Sequence, residues 1–250
     1  MLDEALDLFL GSRCVGCDRP GRMLCPACRA GLSGTARVAW PSPVPAGLVT
    51  PWVTESYDGA VRALVVGHKD RGQWGHRRVL GALLADAVRG ATAGLEPSVP
   101  LLLVPVPSRP GAGRRRGYEA TSALVRTAAR ALRGERPVAL APLLVSRGAA
   151  DQAGLGAGDR AANMAGSMHC PSAALARAVR RRRAAYVVVC DDVVTTGSTA
   201  REAQRALEAV GLPPVAIAAV AGTRRRTQTR PHEGGGPRGD PAVGPGARRG

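Results

Sequence analysis

The chain has 250 residues, room for one full α/β domain and a small extra module, and its 35 basic against 19 acidic residues give a net charge of +16. That balance suits a polyanionic partner, either a phosphorylated small molecule or a nucleic acid, or else reflects an Arg-, Ala- and Gly-rich composition with no particular partner behind it. Three Trp, three Tyr and one Phe are too few for a platform of exposed rings stacking a single strand. No apolar run reaches the ~20 residues that span a bilayer, so membrane insertion is not expected.

The N-terminal stretch Met1–Leu10 carries acids and no early basic residue, the wrong pattern for a secretory leader, and this predicts a cytoplasmic protein. Leu2, Leu6, Phe9 and Leu10 instead mark one face of a short amphipathic helix. Next come two Cys-x2-Cys knuckles, Cys14 with Cys17 and Cys25 with Cys28, joined through the turn Asp18-Arg19-Pro20-Gly21. In a reducing compartment such knuckles point to a tetrahedral zinc site; an iron–sulfur cluster or redox disulfides are the other uses of the pattern. Four soft ligands leave no open coordination position, so a zinc ion here is structural, and residues 1–39 form an N-terminal helix and zinc-knuckle module. Cys190, by contrast, falls within an apolar run and reads as a small core residue.

A Pro-rich segment at 40–51, Trp40-Pro41-Ser42-Pro43-Val44-Pro45-Ala46-Gly47 and its continuation, marks a linker. Strand and helix patterns then alternate. A strand at Trp52–Tyr57 precedes a short helix at Ala60–Gly67 and a longer one from about Arg77 to Arg89, on Val79, Leu80, Leu83, Leu84 and Ala87. A buried strand, Leu101–Val104, ends in Pro105-Val106-Pro107-Ser108-Arg109, and Ala120, Leu124, Val125, Ala128, Ala131 and Leu132 mark the next helix. Strands near Val138–Val145, at Val187–Cys190 and at Val215–Val220, with a helix over Ala200–Val210, complete the order. The alternation implies βαβ units: an α/β fold with a largely parallel sheet flanked by helices, in which ligands sit beyond the carboxyl ends of the strands at a switch point. Arg180–Arg183 is a basic run, and residues 223–250 form a disordered basic tail with seven arginines against Glu233 and Asp240. Both runs read as solvated charge, with nucleic-acid contact as the rival.

The most informative stretch is Val187-Val188-Val189-Cys190-Asp191-Asp192-Val193-Val194-Thr195-Thr196-Gly197-Ser198-Thr199. A buried strand runs into two adjacent carboxylates, then into a turn with four hydroxyls around Gly197, then into a helix. Such an arrangement suits a sugar phosphate: the acids accept from ribose hydroxyls, and the turn with the helix N-terminus holds the phosphate. Lys69 is the only lysine in the chain; a site needing a compact point charge would account for it, and so would a surface accident.

This stretch resembles the phosphoribosyl-pyrophosphate (PRPP) motif of type I phosphoribosyltransferases. The cysteine module, Tyr57-Asp58-Gly59, His68-Lys69-Asp70-Arg71-Gly72, Val104-Pro105-Val106-Pro107, Arg115-Arg116-Gly117-Tyr118, Gln152-Ala153-Gly154-Leu155 with Arg160, Asn163 and Gly166, and the acidic motif together resemble the ComF family, named for competence and DNA uptake. The resemblance runs from Cys14 to about Ala221 and implies a phosphoribosyltransferase-like domain over 52–222. It implies that Asp191 and Asp192 fix the ribose hydroxyls, and that Val194, Thr195, Thr196, Gly197, Ser198 and Thr199 take the 5′-phosphate. Lys69 and Arg109 would meet the pyrophosphate with Mg²⁺, while Arg115 and Arg116 would lie on a mobile loop over the site. The implied function is transfer or sensing of phosphoribosyl groups. The rival is a non-catalytic adaptor of DNA-uptake machinery that binds single-stranded DNA or a partner such as its helicase. Two departures bear on acceptor or partner recognition: Glu119-Ala120 stands where the family commonly has Asn-Gln, and Ala149-Ala150-Asp151 stands where it has Thr-Pro-Pro.

Overall fold

The computed structural model describes residues 12–108, 118–146, 166–180 and 184–223. The cysteine segment contains one short helix, α1 (Pro26–Ala30), and leads into β1 (Arg37–Val38) and β2 (Pro51–Ser56). Helices α2 (Gly59–Asp70) and α3 (His76–Thr92) follow, then β3 (Leu101–Pro105), α4 (Ala120–Leu132) and β4 (Val138–Leu140). Beyond them lie β5 (Val145–Ser146), β6 (Met168–His169), α5 (Ser172–Arg180), β7 (Tyr186–Val194), α6 (Ser198–Glu208) and β8 (Ala216–Gly222).

Six strands form one sheet in the order β1-β2-β8-β7-β3-β4. Every pairing from β2 to β4 is parallel, and only β1 runs antiparallel, on β2. Strands buried on both faces need no polar alternation, which is why β3 and β8 are apolar throughout. Leu101, Leu103, Val188 and Cys190 face the core shared with α2, α3 and α4; Leu102, Val104, Val187 and Val189 face the core shared with α6. From β3 the chain moves outward through α4 to β4; from β7 it moves the other way through α6 to β8. The strand order therefore reverses between β3 and β7, and this is the switch point beyond whose strand ends such sheets take ligands.

The expected strand near Val138–Val145 is two strands. β4 ends at Leu140, and β5 pairs antiparallel with β6 as a separate two-stranded sheet. Pro142 between them has no N–H for a ladder, and Leu143 N–H turns back to the Ala141 carbonyl at 2.8 Å. β7 continues past Cys190 to Val194 because a ladder uses only backbone groups: Asp191 pairs with Ala219 and Val194 with Gly222. α6 stops at Glu208, short of Val210, where the chain tightens toward Gly211 at φ 74°.

The cysteine segment packs through Val15, Leu24 and Leu32 against the α2–α4 core. The Pro-rich stretch also packs: Pro41 and Leu48 are buried, and Leu48 joins the α6-side core. Among the described residues, no helix is long and apolar enough to cross a membrane. The expected N-terminal helix over Leu2–Leu10, the Arg181–Arg183 part of the basic run and the tail beyond Thr223 lie outside the described residues.

Candidate functional site

Asp191 and Asp192 lie near the carboxyl end of β7, only 7% and 5% exposed. Asp192 N–H donates to Asp191 Oδ1 at 2.8 Å. Pleat alternation puts Asp192 on the side of Val188 and Cys190, toward α2, and there Lys69 meets it. Lys69 Nζ donates to Asp192 Oδ2 at 2.8 Å and Oδ1 at 3.1 Å. The chain's one lysine is thus engaged with the second acid of the motif.

The two carboxyls are electrostatically unlike. Burial, followed by the charge of Asp192, pushes the Asp191 carboxyl well above the ordinary carboxylate range. Burial acts on Asp192 in the same direction, but the Lys69 charge and its hydrogen bonds prevail and hold Asp192 below that range. Burial lowers Lys69, and the charges of Asp192 and Asp191 more than reverse this, raising it. The adjacent acids therefore differentiate into a readily protonated Asp191 and a firmly ionised Asp192.

The turn after β7 leads through Gly197, at φ 73° and ψ −5°, into α6. Gly197 offers no side-chain cap, and the Ser198 N–H donates to Thr196 Oγ1 at 3.4 Å. The other first-turn amides of α6 have no intrahelical partner, as at any helix N-terminus. Thr196 and Ser198 hydroxyls lie 3.1 Å apart, and Thr223 ties the turn down through Val194 O at 3.2 Å and Thr195 O at 3.3 Å. Just past β3, Val106 N–H continues the ladder to the Cys190 carbonyl at 2.9 Å, and Ser108 N–H donates to Glu119 Oε2 at 3.4 Å. The sheet thereby brings together Lys69, Asp191, Asp192, the Val194–Thr199 turn and the Pro105–Ser108 segment. Arg109, Arg115 and Arg116 lie outside the described residues, as do Gln152, Arg160 and Asn163.

Two features escape the sequence. The Tyr118 hydroxyl donates to the His68 carbonyl, beside Lys69, and its ring lies 4.2 Å from that of Trp74, with the Arg77 guanidinium 5.4 Å from the Trp74 centroid. The second is Gln204, 2% exposed on the alanine face of α6. A polar residue amid Ala200, Ala203, Ala206 and Leu207 is the signal that could have found it.

The Sγ atoms of Cys14, Cys17, Cys25 and Cys28 all lie within 4.8 Å of one another, close enough to hold a metal ion such as zinc. Cys17 and Cys25 sulfurs are 3.7 Å apart, Cys25 N–H donates to Cys14 Sγ at 3.3 Å, and Cys28 N–H donates to Cys25 Sγ at 3.5 Å. Burial opposes ionisation of Cys14, but backbone N–H groups, that of Cys25 foremost, bring its thiol to about 6. The N–H of Cys28 likewise lowers Cys25. The neighbouring sulfurs, Cys17 foremost, push Cys28 up to about 12. A Cβ at position 16 would stand 2.9 Å from Cys28 Sγ and 3.3 Å from Ala60 Cβ, so Gly16 lets the knuckle fold against α2.

Fold and site define an α/β protein with a mostly parallel central sheet, an acid pair and a Gly/Ser/Thr turn at its switch point, and a four-cysteine cluster at its N-terminal side. The chain matches no known family model, and no curated protein matches it.

Proposed function

We propose that the protein binds PRPP at the β3/β7 switch point and transfers or senses its phosphoribosyl group, as a ComF-like member of the type I phosphoribosyltransferases acting in the cytoplasm. The observation that carries this reading is the convergence of Asp191, Asp192, the Val194–Thr199 turn and Lys69 at one end of the sheet. The turn and the first amides of α6 receive the 5′-phosphate. The acids accept from the ribose hydroxyls and spread negative charge near C1′ as its bond to pyrophosphate breaks. That step passes through a sugar cation, so positioning and charge stabilisation suffice, with no protein nucleophile. Lys69 turns from Asp192 to the diphosphate when ligand enters. Carboxylate oxygens suit a hard divalent cation, and Mg²⁺ held through Asp192 and the phosphates would neutralise the leaving pyrophosphate. The cysteine cluster holds a structural zinc ion.

A second reading, an adaptor of DNA-uptake machinery without turnover, is favoured by Glu119. This residue is one of the departures from the family pattern, and its carboxylate takes the Ser108 N–H on the diphosphate side of the switch point.

Calorimetry with PRPP and Mg²⁺ tests the first reading. Wild type should bind and the double variant Asp191→Asn/Asp192→Asn should not; absence of wild-type binding ends the proposal. Given binding, pyrophosphate release with a panel of nucleobases distinguishes transfer from sensing. The adaptor reading instead requires salt-dependent binding of single-stranded DNA that survives both substitutions.

A further inference from the structure

The Pro-rich segment that the sequence presents as a linker bears directly on the Val194–Thr199 turn. An ideal Cβ built at Gly197 would stand 2.9 Å from Pro41 Cγ, 3.2 Å from Leu48 Cδ2 and 3.3 Å from Pro45 Cγ. Three side chains of one strap thus close around a single glycine, whose left-handed φ of 73° is the bend of the turn.

The strap is fastened to α6 by two side chains. Gln204 Nε2 donates to the Gly47 carbonyl at 2.8 Å, while Gln204 Oε1 accepts from Val49 N–H at 3.0 Å. Its second amide hydrogen serves Glu208 Oε1 at 2.7 Å, so this buried amide is used at both ends. Arg201 Nε donates to the Ala46 carbonyl at 2.9 Å. Beyond them, Ile217 N–H donates to the Thr50 carbonyl at 3.1 Å, which anchors the strap's far end in the sheet.

We infer that Gln204 is a positioning residue of the anion-binding turn: through Gly47 and Val49 it holds the Pro41–Leu48 wall against Gly197 and so fixes the turn in its ligand-receiving shape. The inference rests on the proposal that this turn takes a phosphate. A glycine-containing turn has many backbone states of similar energy, and a nest of amides binds an anion well only when its geometry is fixed beforehand. The motif supplies the donors; the strap restricts their freedom. Gln204 itself need not touch ligand.

The test uses the full chain, with ribose 5-phosphate and inorganic pyrophosphate as separate calorimetric probes and amide exchange as a readout independent of ligand. Gln204→Leu removes both strap bonds at similar side-chain volume. It should weaken ribose 5-phosphate by about tenfold and leave pyrophosphate unchanged. It should also speed amide exchange at Thr196–Ala200 while Leu101–Val104 stays protected. Wild-type binding of ribose 5-phosphate together with an unchanged Gln204→Leu affinity overturns the inference and leaves the proposed function standing. Failure of the wild type to bind ribose 5-phosphate overturns the proposed function, and with it the role assigned to Gln204. If Gln204→Leu does not fold, Arg201→Ala, which removes the Ala46 bond together with the Arg201–Glu208 ion pair, should weaken ribose 5-phosphate by about threefold. Wild-type affinity in that variant counts equally against the inference.

Discussion

Lys69 and Asp192 form a two-pronged ion pair, 2.8 and 3.1 Å long, that joins the last turn of α2 to the end of β7. The carboxylate is buried at 7% side-chain exposure while the lysine side chain keeps 42%, so the two ends depend on each other unequally. Lys69 keeps the larger share of its surface in water, and under the proposed function it is the partner that changes sides when a ligand competes for it.

Lys69→Met should cost about 2 kcal/mol, below the full penalty of stranding a buried charge because one partner is part-exposed. Asp192→Asn should cost less, since the ammonium left behind can hydrate. Urea midpoints at pH 7 measure both. The double variant Lys69→Met/Asp192→Asn should recover a large part of the Lys69→Met loss; strictly additive losses would mean that the pair is not energetically coupled.

Asp191→Asn should stabilise the ligand-free protein at neutral pH, by on the order of 1 kcal/mol. The Asp191 carboxyl is raised in the folded state by burial and by the charge of Asp192, so the unfolded chain releases that proton at lower pH than the native one. Its contribution is most favourable below the unfolded value near pH 4 and declines as pH rises toward the folded value. Asp192 has the opposite sign: held low by Lys69, it contributes stability above about pH 4 that is lost as pH falls through its folded value. The gap between Asp191→Asn and wild type in chemical denaturation should thus widen from pH 4.5 to pH 7.5. A constant gap would show that Asp191 is not the titrating group. Under the proposed function the same variant loses PRPP affinity, so stability and binding move in opposite directions.

What the sequence made legible follows from what is local. Leu101–Val104 reads as a strand because an unbroken apolar run suits a strand buried on both faces, and Ala120–Leu132 reads as a helix from its spacing alone. The acids and their turn are contiguous, so that part of the site is visible as a string. The Lys69–Asp192 pair spans 123 positions, and nothing in the string reveals it. The family resemblance implies a diphosphate for Lys69, whereas the fold first assigns it to a carboxylate. The strap shows a different limit: proline content is the same for a free tether and for an extended chain pressed onto a helix. The partners of Gln204 decide between the two, and they lie 155 and 157 positions away.

Metal removal should affect the cysteine segment and what it covers. Wild type should carry one equivalent of zinc and Cys14→Ser none, as read by metal analysis of the purified full chain. Val15, Leu24 and Leu32 pack on the α2–α4 core, so losing the ion uncovers part of that core; the melting temperature should fall by about 5–10 °C. Unchanged zinc content in Cys14→Ser would reject the ligand set.

Two glycines with nearly the same backbone separate strain from crowding. Gly197 and Gly211 sit at φ 73° and 74°. A Cβ at Gly211 meets nothing within 4 Å, whereas one at Gly197 meets Pro41 Cγ at 2.9 Å. Gly211→Ala should therefore cost about 1 kcal/mol, the left-handed penalty alone. Gly197→Ala adds the displacement of a buried proline ring and should cost about 3 kcal/mol. Urea denaturation of the two variants side by side gives the difference, and that difference measures how firmly the strap bears on the turn. Equal losses would mean that Pro41 yields freely, and a wall that yields freely cannot hold the amides of the turn in place.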